Sequence, residues 1–216
     1  MGELRESLKV GDEVHTRRQS IQGDASEPLS MTVNSAERLV RLGRPQEAID
    51  LTRTAVALAR SSGNSLWLLR ALNIQCTGYL NLGQLPEAES TLHELKAALE
   101  RGSATDPHFR GMVDRREARA SLDLAARAEL ALGRPVDAER FARQAVAMAE
   151  AVARQPDTSA DVGEALLLLA KAEIVQGRNA EAQPLLERAT RCLTNGLGAE
   201  HDLSREALTL ANRNRA

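Results

Sequence analysis

RLGRPQEA, residues 41–48, is an eight-residue phrase that returns in modified form three more times in this sequence. The later copies are NLGQLPEA at 81–88, ALGRPVDA at 131–138 and VQGRNAEA at 175–182. Every copy has glycine third and alanine last. Glycine adopts a left-handed backbone just past a helix end at little cost, and proline is tolerated in the first turn of the next helix. The phrase therefore predicts a tight turn between two helices, repeated four times.

Helical periodicity flanks each copy of this phrase, with apolar residues recurring at spacings of three and four. Small side chains also stand at two fixed distances from the four turn glycines. Seven residues before them lie Ala36, Cys76, Ala126 and Ala170, and five residues after them lie Ala48, Ala88, Ala138 and Ala182. Because small residues on both arms let helices touch closely, the pattern predicts an all-α solenoid of antiparallel helix pairs.

Composition excludes several other classes of protein. The chain has 216 residues, 43% of them hydrophobic and only 2% aromatic, and its formal net charge is −2. That charge argues against a nucleic-acid binder, and no apolar run approaches the roughly 20 residues of a membrane span. The first residues lack the apolar core of a secretion signal, so we expect a cytoplasmic protein with neither nucleic acid nor membrane as partner. Cys76 and Cys192 are too few and too far apart in sequence to indicate a metal site or a disulfide scaffold.

The set of small residues, turn glycines and alanines resembles the tetratricopeptide repeat (TPR) family. Tyr79 falls where that family often has an aromatic residue, whereas Leu39, Glu129 and Glu173 depart from it at the matching positions. The turn glycines are 40, 50 and 44 residues apart, so the chain is more similar to the long-repeat variety found in kinesin light chains and bacterial signalling proteins. LGAEHD at 197–202 matches an element of those repeats. The resemblance implies a right-handed superhelix of about ten helices.

The repeat pattern also predicts boundaries. IQGDAS at 21–26 looks like a degenerate copy of the element at 197–202, which makes 1–26 the second helix of an incomplete repeat. The remaining segments are predicted as repeats at 27–63, 64–103, 104–156 and 157–198, followed by a C-terminal capping helix and tail at 199–216. Either the natural protein starts with a solitary capping helix, or the chain is a fragment of a longer polypeptide, which we favour because solenoids usually need proper end caps.

Two segments are expected to depart from regular helix. GSATDPHFRG at 102–111 is rich in glycine and polar residues and predicts a loop, the best candidate for a mobile edge. The last helix is predicted at about 202–212, with the following RNRA frayed. The apolar stretch around Leu167 and Leu168 either binds an apolar ligand or packs against that last helix, and we favour the packing.

The resemblance implies a partner-binding groove lined by the first helices of the repeats. Counting from each turn glycine, the predicted groove residues are Asn34, Glu37, Arg41, Arg70, Asn73, Thr77, Asn81, Arg127 and Lys171. A primary amide both donates and accepts hydrogen bonds, so Asn34 and Asn73 could hold a peptide backbone. The alternative is that these residues are the solvated polar positions of amphipathic helices.

Nothing in the sequence predicts catalysis. The four histidines are scattered, and no phosphate-binding or nucleophile-elbow motif is present. Glu47, Glu87 and Asp137 share one position beside a helix start, where the helix dipole favours negative charge. We therefore expect a non-catalytic scaffold, without metal or cofactor, that binds a protein or peptide. The alternative is a sensor or regulatory arm of a larger bacterial signalling protein, such as a Ser/Thr kinase or a transcription regulator. Self-association through the solenoid ends stays open.

Overall fold

The computed structural model describes residues 26–105 and 112–215. Within them it contains nine α-helices, one short 3-10 helix and no strand, so the prediction of an all-α fold is confirmed. The α-helices are α1 (Ser26–Arg41), α2 (Pro45–Ser61), α3 (Ser65–Asn81), α4 (Leu85–Thr105), α5 (Met112–Ala131), α6 (Pro135–Val152), α7 (Ala160–Val175), α8 (Asn179–Leu197) and α9 (Asp202–Arg215). The helix predicted within 1–26 falls almost wholly outside the described residues.

The four repeated phrases form four turns of the same kind. Their glycines have φ between 68° (Gly83) and 76° (Gly177), in the left-handed region that residues with side chains disfavour. The residue after each glycine donates its backbone N–H to the carbonyl five residues earlier, as from Arg44 to Leu39 at 2.9 Å and from Arg178 to Glu173 at 2.9 Å. These bonds satisfy carbonyls that the helix end leaves open. Pro45 and Pro135 begin the following helices, as predicted.

Both sets of small side chains lie in the core. All eight residues at the two predicted offsets are 0% exposed: Ala36, Cys76, Ala126, Ala170, Ala48, Ala88, Ala138 and Ala182. In addition, Gly78 on α3 faces α2 so closely that a Cβ there would lie 2.8 Å from Cγ1 of Ile49. The small residues at the two offsets are therefore core positions, and Gly78 lets α2 and α3, which belong to successive helical pairs, approach closely.

The described residues up to Glu117 form one compact unit. Its helices pack in chain order, α1 on α2, α2 on α3 and α3 on α4, and the first helices α1 and α3 also contact each other. Its core is built from aliphatic side chains, including Val33, Ile49, Leu69 and Leu92, each at most 1% exposed.

The described residues from Ala118 to Arg215 form the second compact unit. Helices α6 to α9 pack successively there, and the 3-10 helix Pro156–Thr158 packs on α8. One apolar cluster joins Leu166 and Leu167 of α7 to Leu186 and Leu193 of α8 and to small residues of α9. Leu167 thus packs toward the last helix, as favoured from the sequence, and Leu168 is also buried.

Two predicted helix ends differ from the structure. Helix α4 continues to Thr105, so the first residues of the predicted loop are helical, and the remainder of that loop lies outside the described residues. Helix α9 continues to Arg215 rather than fraying after Asn212. The cause is packing on α8 and its N-terminal turn: the Asn214 amide donates to the Asn179 carbonyl at 2.8 Å, and Arg215 pairs with Glu187 at 2.7 Å.

Candidate functional site

In the first unit, the adjacent first helices α1 and α3 carry most of the predicted groove residues. Glu37 of α1 forms ion pairs with Arg41 one turn later, at 2.7 Å, and with Arg70 of α3, at 3.2 Å. The second pair joins the two helices. Because one carboxylate contacts both cations, Glu37, Arg41 and Arg70 lie together. We use the name unit 1 polar face for the predicted groove residues of α1 and α3: Asn34, Glu37, Arg41, Arg70, Asn73, Thr77 and Asn81.

Two further residues hold Arg70 and were not predicted from the sequence. Its guanidinium carbon lies 4.9 Å from the centroid of the Trp67 ring, a cation–π contact, and its Nε lies 3.5 Å from Oε1 of Glu117. Burial raises the pKa of Glu117, while Arg70 opposes that shift. The contact between Trp67 and Arg70 could have been predicted from the sequence, because residues three apart on a helix are neighbours. The contact with Glu117 could not, because Glu117 lies 47 positions after Arg70 and no local pattern links them.

The amide and hydroxyl groups of the unit 1 polar face differ in access. Asn34, Asn73 and Thr77 are half-buried, and Asn81 is exposed. The Thr77 hydroxyl donates to the carbonyl of Asn73 at 2.8 Å, within its own helix. The Thr77 side chain therefore offers a partner mainly its methyl group and the acceptor lone pairs of its hydroxyl oxygen. Asn81 exposes its amide, which can both donate and accept hydrogen bonds.

The second unit places the other two predicted residues on α5 and α7. Arg127 is exposed on α5, and Lys171 of α7 pairs with Glu206 of α9 at 2.6 Å. Asp123 was not predicted as a site residue. It lies ten residues before Gly133, just as Asn73 lies ten residues before Gly83, so this shared offset could have identified it. Asp123 is only 2% exposed and pairs with Arg119 one turn earlier.

The glutamates that depart from the aromatic position of the family are buried and ion-paired. Glu173 is 2% exposed and accepts from Arg178, just after the turn glycine, and from Arg143 of α6 at 3.0 Å. Glu129 is fully buried and lies 3.7 Å from Nη1 of Arg134, at the equivalent place after its turn. The third and fourth hairpins therefore have a glutamate paired with an arginine at the position that Tyr79 occupies in the second hairpin.

A neighbouring carboxylate extends the Glu173 network. Glu139 of α6 accepts hydrogen bonds from Gln176, Arg143 and Arg178. Burial alone would raise the pKa of Glu139, but these side-chain hydrogen bonds outweigh it and lower the pKa to about 2. The carboxylate is therefore held ionised, and the network fixes the turn between α7 and α8 against α6.

The described residues contain neither a metal site nor a membrane-spanning helix. No group of three or more His, Cys, Asp or Glu side chains in 26–105 and 112–215 is placed to hold a metal ion. Over the same ranges, no helix combines the length and apolarity that crossing a bilayer would take.

Paired helices with small residues at two offsets from a left-handed turn define the class of TPR-like helical repeat proteins. Among solved structures, the chain is similar to the TPR-like repeats of a Podosopora anserina protein described as a kinesin light chain, with 22% identity over 91% of this chain and 90% of that chain and a TM-score of 0.64. It is also similar to BtubC (BKLC) from P. vanneervenii, with 17% identity over 93% of this chain and 76% of that chain and a TM-score of 0.70. No protein-family model and no curated protein sequence matches the chain. The predicted resemblance to TPR and kinesin light chain repeats is thus confirmed at the level of the fold.

Proposed function

We propose that this protein is a non-catalytic interaction scaffold that binds a peptide or partner helix on the first helices of its repeats. The observation that carries the proposal is the Glu37–Arg70 ion pair, at 3.2 Å, between α1 and α3. It supports the proposal because it brings two of the predicted groove residues, on adjacent first helices, into contact. A protein partner is the ligand for which such a face is suited.

The chemistry of this face favours an extended peptide. The amides of Asn34 and Asn81 can donate to and accept from a peptide backbone, and Asn73, whose Oδ1 is buried, can act only as a donor. Such hydrogen bonds depend little on the sequence of the peptide. The charges alternate from Arg41 to Glu37 to Arg70 to Glu117. A partner that carries both acidic and basic side chains can pair with the row, and a uniformly charged polymer such as nucleic acid would meet repulsion at every second position. A cytoplasmic location remains a prediction from the sequence.

Affinity capture from native lysate with quantitative mass spectrometry tests the proposal in each unit separately. The unit 1 variant is Asn34→Ala with Asn73→Ala, and the unit 2 variant is Arg127→Ala with Lys171→Ala. Matched controls change exposed residues on second helices of the same unit, Gln46→Ala with His93→Ala for the first and Arg191→Ala with Arg140→Ala for the second.

We expect at least one face variant to lose captured partners by about tenfold, the result of removing on the order of 1.4 kcal/mol of binding free energy. The matched control should retain them. Equal partner lists and intensities for both face variants and both controls, with all proteins folded by circular dichroism, would contradict the proposal.

A further inference from the structure

A buried ionic cluster joins α5 to the first turn of α7 in the second unit. The Arg119 side chain is 8% exposed and the Asp123 side chain 3% exposed. One guanidinium nitrogen of Arg119, Nη1, bonds to Oδ2 of Asp123, and the other, Nη2, donates to Oδ1 of Asp161 at 2.9 Å. Asp161 stands in the first turn of α7 and is 42% exposed. One cation is thus shared by two carboxylates on different helices, and we call this arrangement the Arg119 clasp.

The pairing inside the clasp is incomplete. Nε of Arg119 and Oδ1 of Asp123 are both buried and have no hydrogen-bond partner in the described part of the chain. A buried polar atom without a partner, or a buried charge incompletely compensated, is costly. With Asp123 ionised, the clasp holds two negative charges against one positive charge. Uptake of one proton by Asp123 would remove this excess.

The charges that face Asp123 do not compensate it fully either. On α5 they are Arg119 and Arg127, and on α7 they are Asp161 and Glu164. Burial is the largest influence and raises the pKa of Asp123, Arg119 opposes it, and the remaining three groups have smaller effects of both signs. The result is a pKa of about 7 instead of the ordinary 3.8.

We propose that the Arg119 clasp is a pH-responsive contact between α5 and α7, in which the buried Asp123 takes up and releases one proton while Arg119 is shared with Asp161. When Asp123 is protonated, Arg119 is held chiefly by the half-exposed Asp161. When Asp123 is ionised, the guanidinium is drawn between two carboxylates in the buried site. The charge one helical turn from the exposed Arg127 therefore changes by one unit over a narrow pH range.

The sign of the effect on stability follows from linkage. The folded state holds the Asp123 proton more tightly than the unfolded state, because its pKa is raised on folding. The stabilising contribution is fully present below pH 3.8, and it is lost as the pH rises through about 7. Asp123→Asn keeps the shape of the protonated side chain and cannot ionise, so this variant should lose that pH dependence.

The first test is a titration of the full chain, labelled with ¹³C at aspartate carboxyl groups and followed by NMR from pH 3 to pH 9. Asp123→Asn identifies the Asp123 resonance. We expect a midpoint more than two pH units above the other aspartates. A midpoint near 4 would overturn the proposal.

A second variant tests whether the cation is shared. Asp161→Asn removes a like charge and the competitor for Arg119, so the Asp123 midpoint should fall by about one pH unit, a tenfold change in proton affinity. An unchanged midpoint would show that Asp161 takes no part. Asp202→Asn, at a 96% exposed side chain in the same unit, is the control and should leave the midpoint unaltered.

Thermal unfolding from pH 5 to pH 8 gives an independent readout. The melting temperature of Asp123→Asn minus that of the wild type should rise steadily with pH. A constant difference over this range would contradict the proposal. Neither measurement involves a binding partner, so failure here leaves the proposed scaffold function untouched.

Discussion

Side-chain volume at two positions per hairpin decides how closely the helices of this protein approach. Ala48 and Ala182 are completely buried, although each lies only five residues after an exposed turn glycine. Protein interiors are packed at near-crystalline density, so an added isobutyl group there must displace a neighbouring helix. An alanine on the opposite side of the same helix has no such constraint.

Ala48→Leu should destabilise the first unit by about 1–3 kcal/mol, because the larger side chain overpacks the contact between α2 and its neighbours. Urea unfolding followed by circular dichroism measures the change. The matched control is Ala57→Leu on the exposed side of the same helix, which should alter stability by less than about 0.5 kcal/mol. If both variants unfold at the same urea concentration as the wild type, the offset has no packing role.

At the scale of the element, each hairpin is defined by its turn and by what occupies the position four residues before the turn glycine. Tyr79 fills that position with an aromatic ring, whereas Glu173 fills it with a buried carboxylate that Arg178 and Arg143 neutralise. A buried acid keeps its charge only with such partners. The fourth hairpin therefore depends on a residue of α6, outside its own sequence.

The hydrogen bonds to Glu139 predict how this network responds to acid. Its pKa is lowered to about 2 in the folded protein, below the ordinary 4.5, so the folded state favours the ionised form. The resulting stability is present above pH 4.5 and is lost as the pH falls toward 2.

Glu139→Gln should therefore unfold at a lower temperature than the wild type at pH 6, and the two melting temperatures should converge between pH 4.5 and pH 2. Differential scanning calorimetry across this range checks the prediction. Glu200→Gln, whose side chain is 93% exposed, is the control and should track the wild type throughout. If the melting temperature of Glu139→Gln is still lower than that of the wild type by the same amount at pH 2, the loss of stability has a cause other than the loss of charge.

The same elements show what sequence could and could not predict. The turns and the buried alanines were predictable because glycine, proline and small residues act within a few positions of one another. Asp123 shares its offset with Asn73, but its burial beside Arg119 depends on packing that the offset does not specify. The Arg143–Glu173 contact spans 30 positions, and α9 continues past Asn212 because Asn214 binds α8. Such contacts are properties of the packed molecule and leave no local pattern.

At the scale of the whole molecule, α9 packs on the apolar cluster of the second unit and covers it. Ala207 and Ala211 are buried against Leu166, Leu167 and their neighbours, while the side of α9 that faces solvent is mostly polar. A polar outer face disfavours association through apolar contact. This arrangement does not favour self-association through α9.

Ala207→Lys should disrupt the packing of α9 on the apolar cluster, because burying a charged side chain there without a partner is costly. We expect a loss of about 2–4 kcal/mol in unfolding free energy, increased binding of the dye ANS and a shift toward oligomers in light scattering. The neighbouring Leu208→Lys changes a residue that is 51% exposed and should leave all three measurements close to wild type. A monomeric Ala207→Lys with native stability would show that α9 does not cover the cluster.

The acid at position 173 also bears on how freely such repeats can be exchanged. A hairpin with tyrosine at this position carries its own apolar filling and could follow many different neighbours. The hairpin with Glu173 takes one of its two arginine partners, Arg143, from the preceding helix. Recombination, or a consensus design that averages over repeats, would separate Glu173 from Arg143 and reduce the compensation of a buried carboxylate. The order of these hairpins is therefore constrained by charge, and the units of this chain are not interchangeable building blocks.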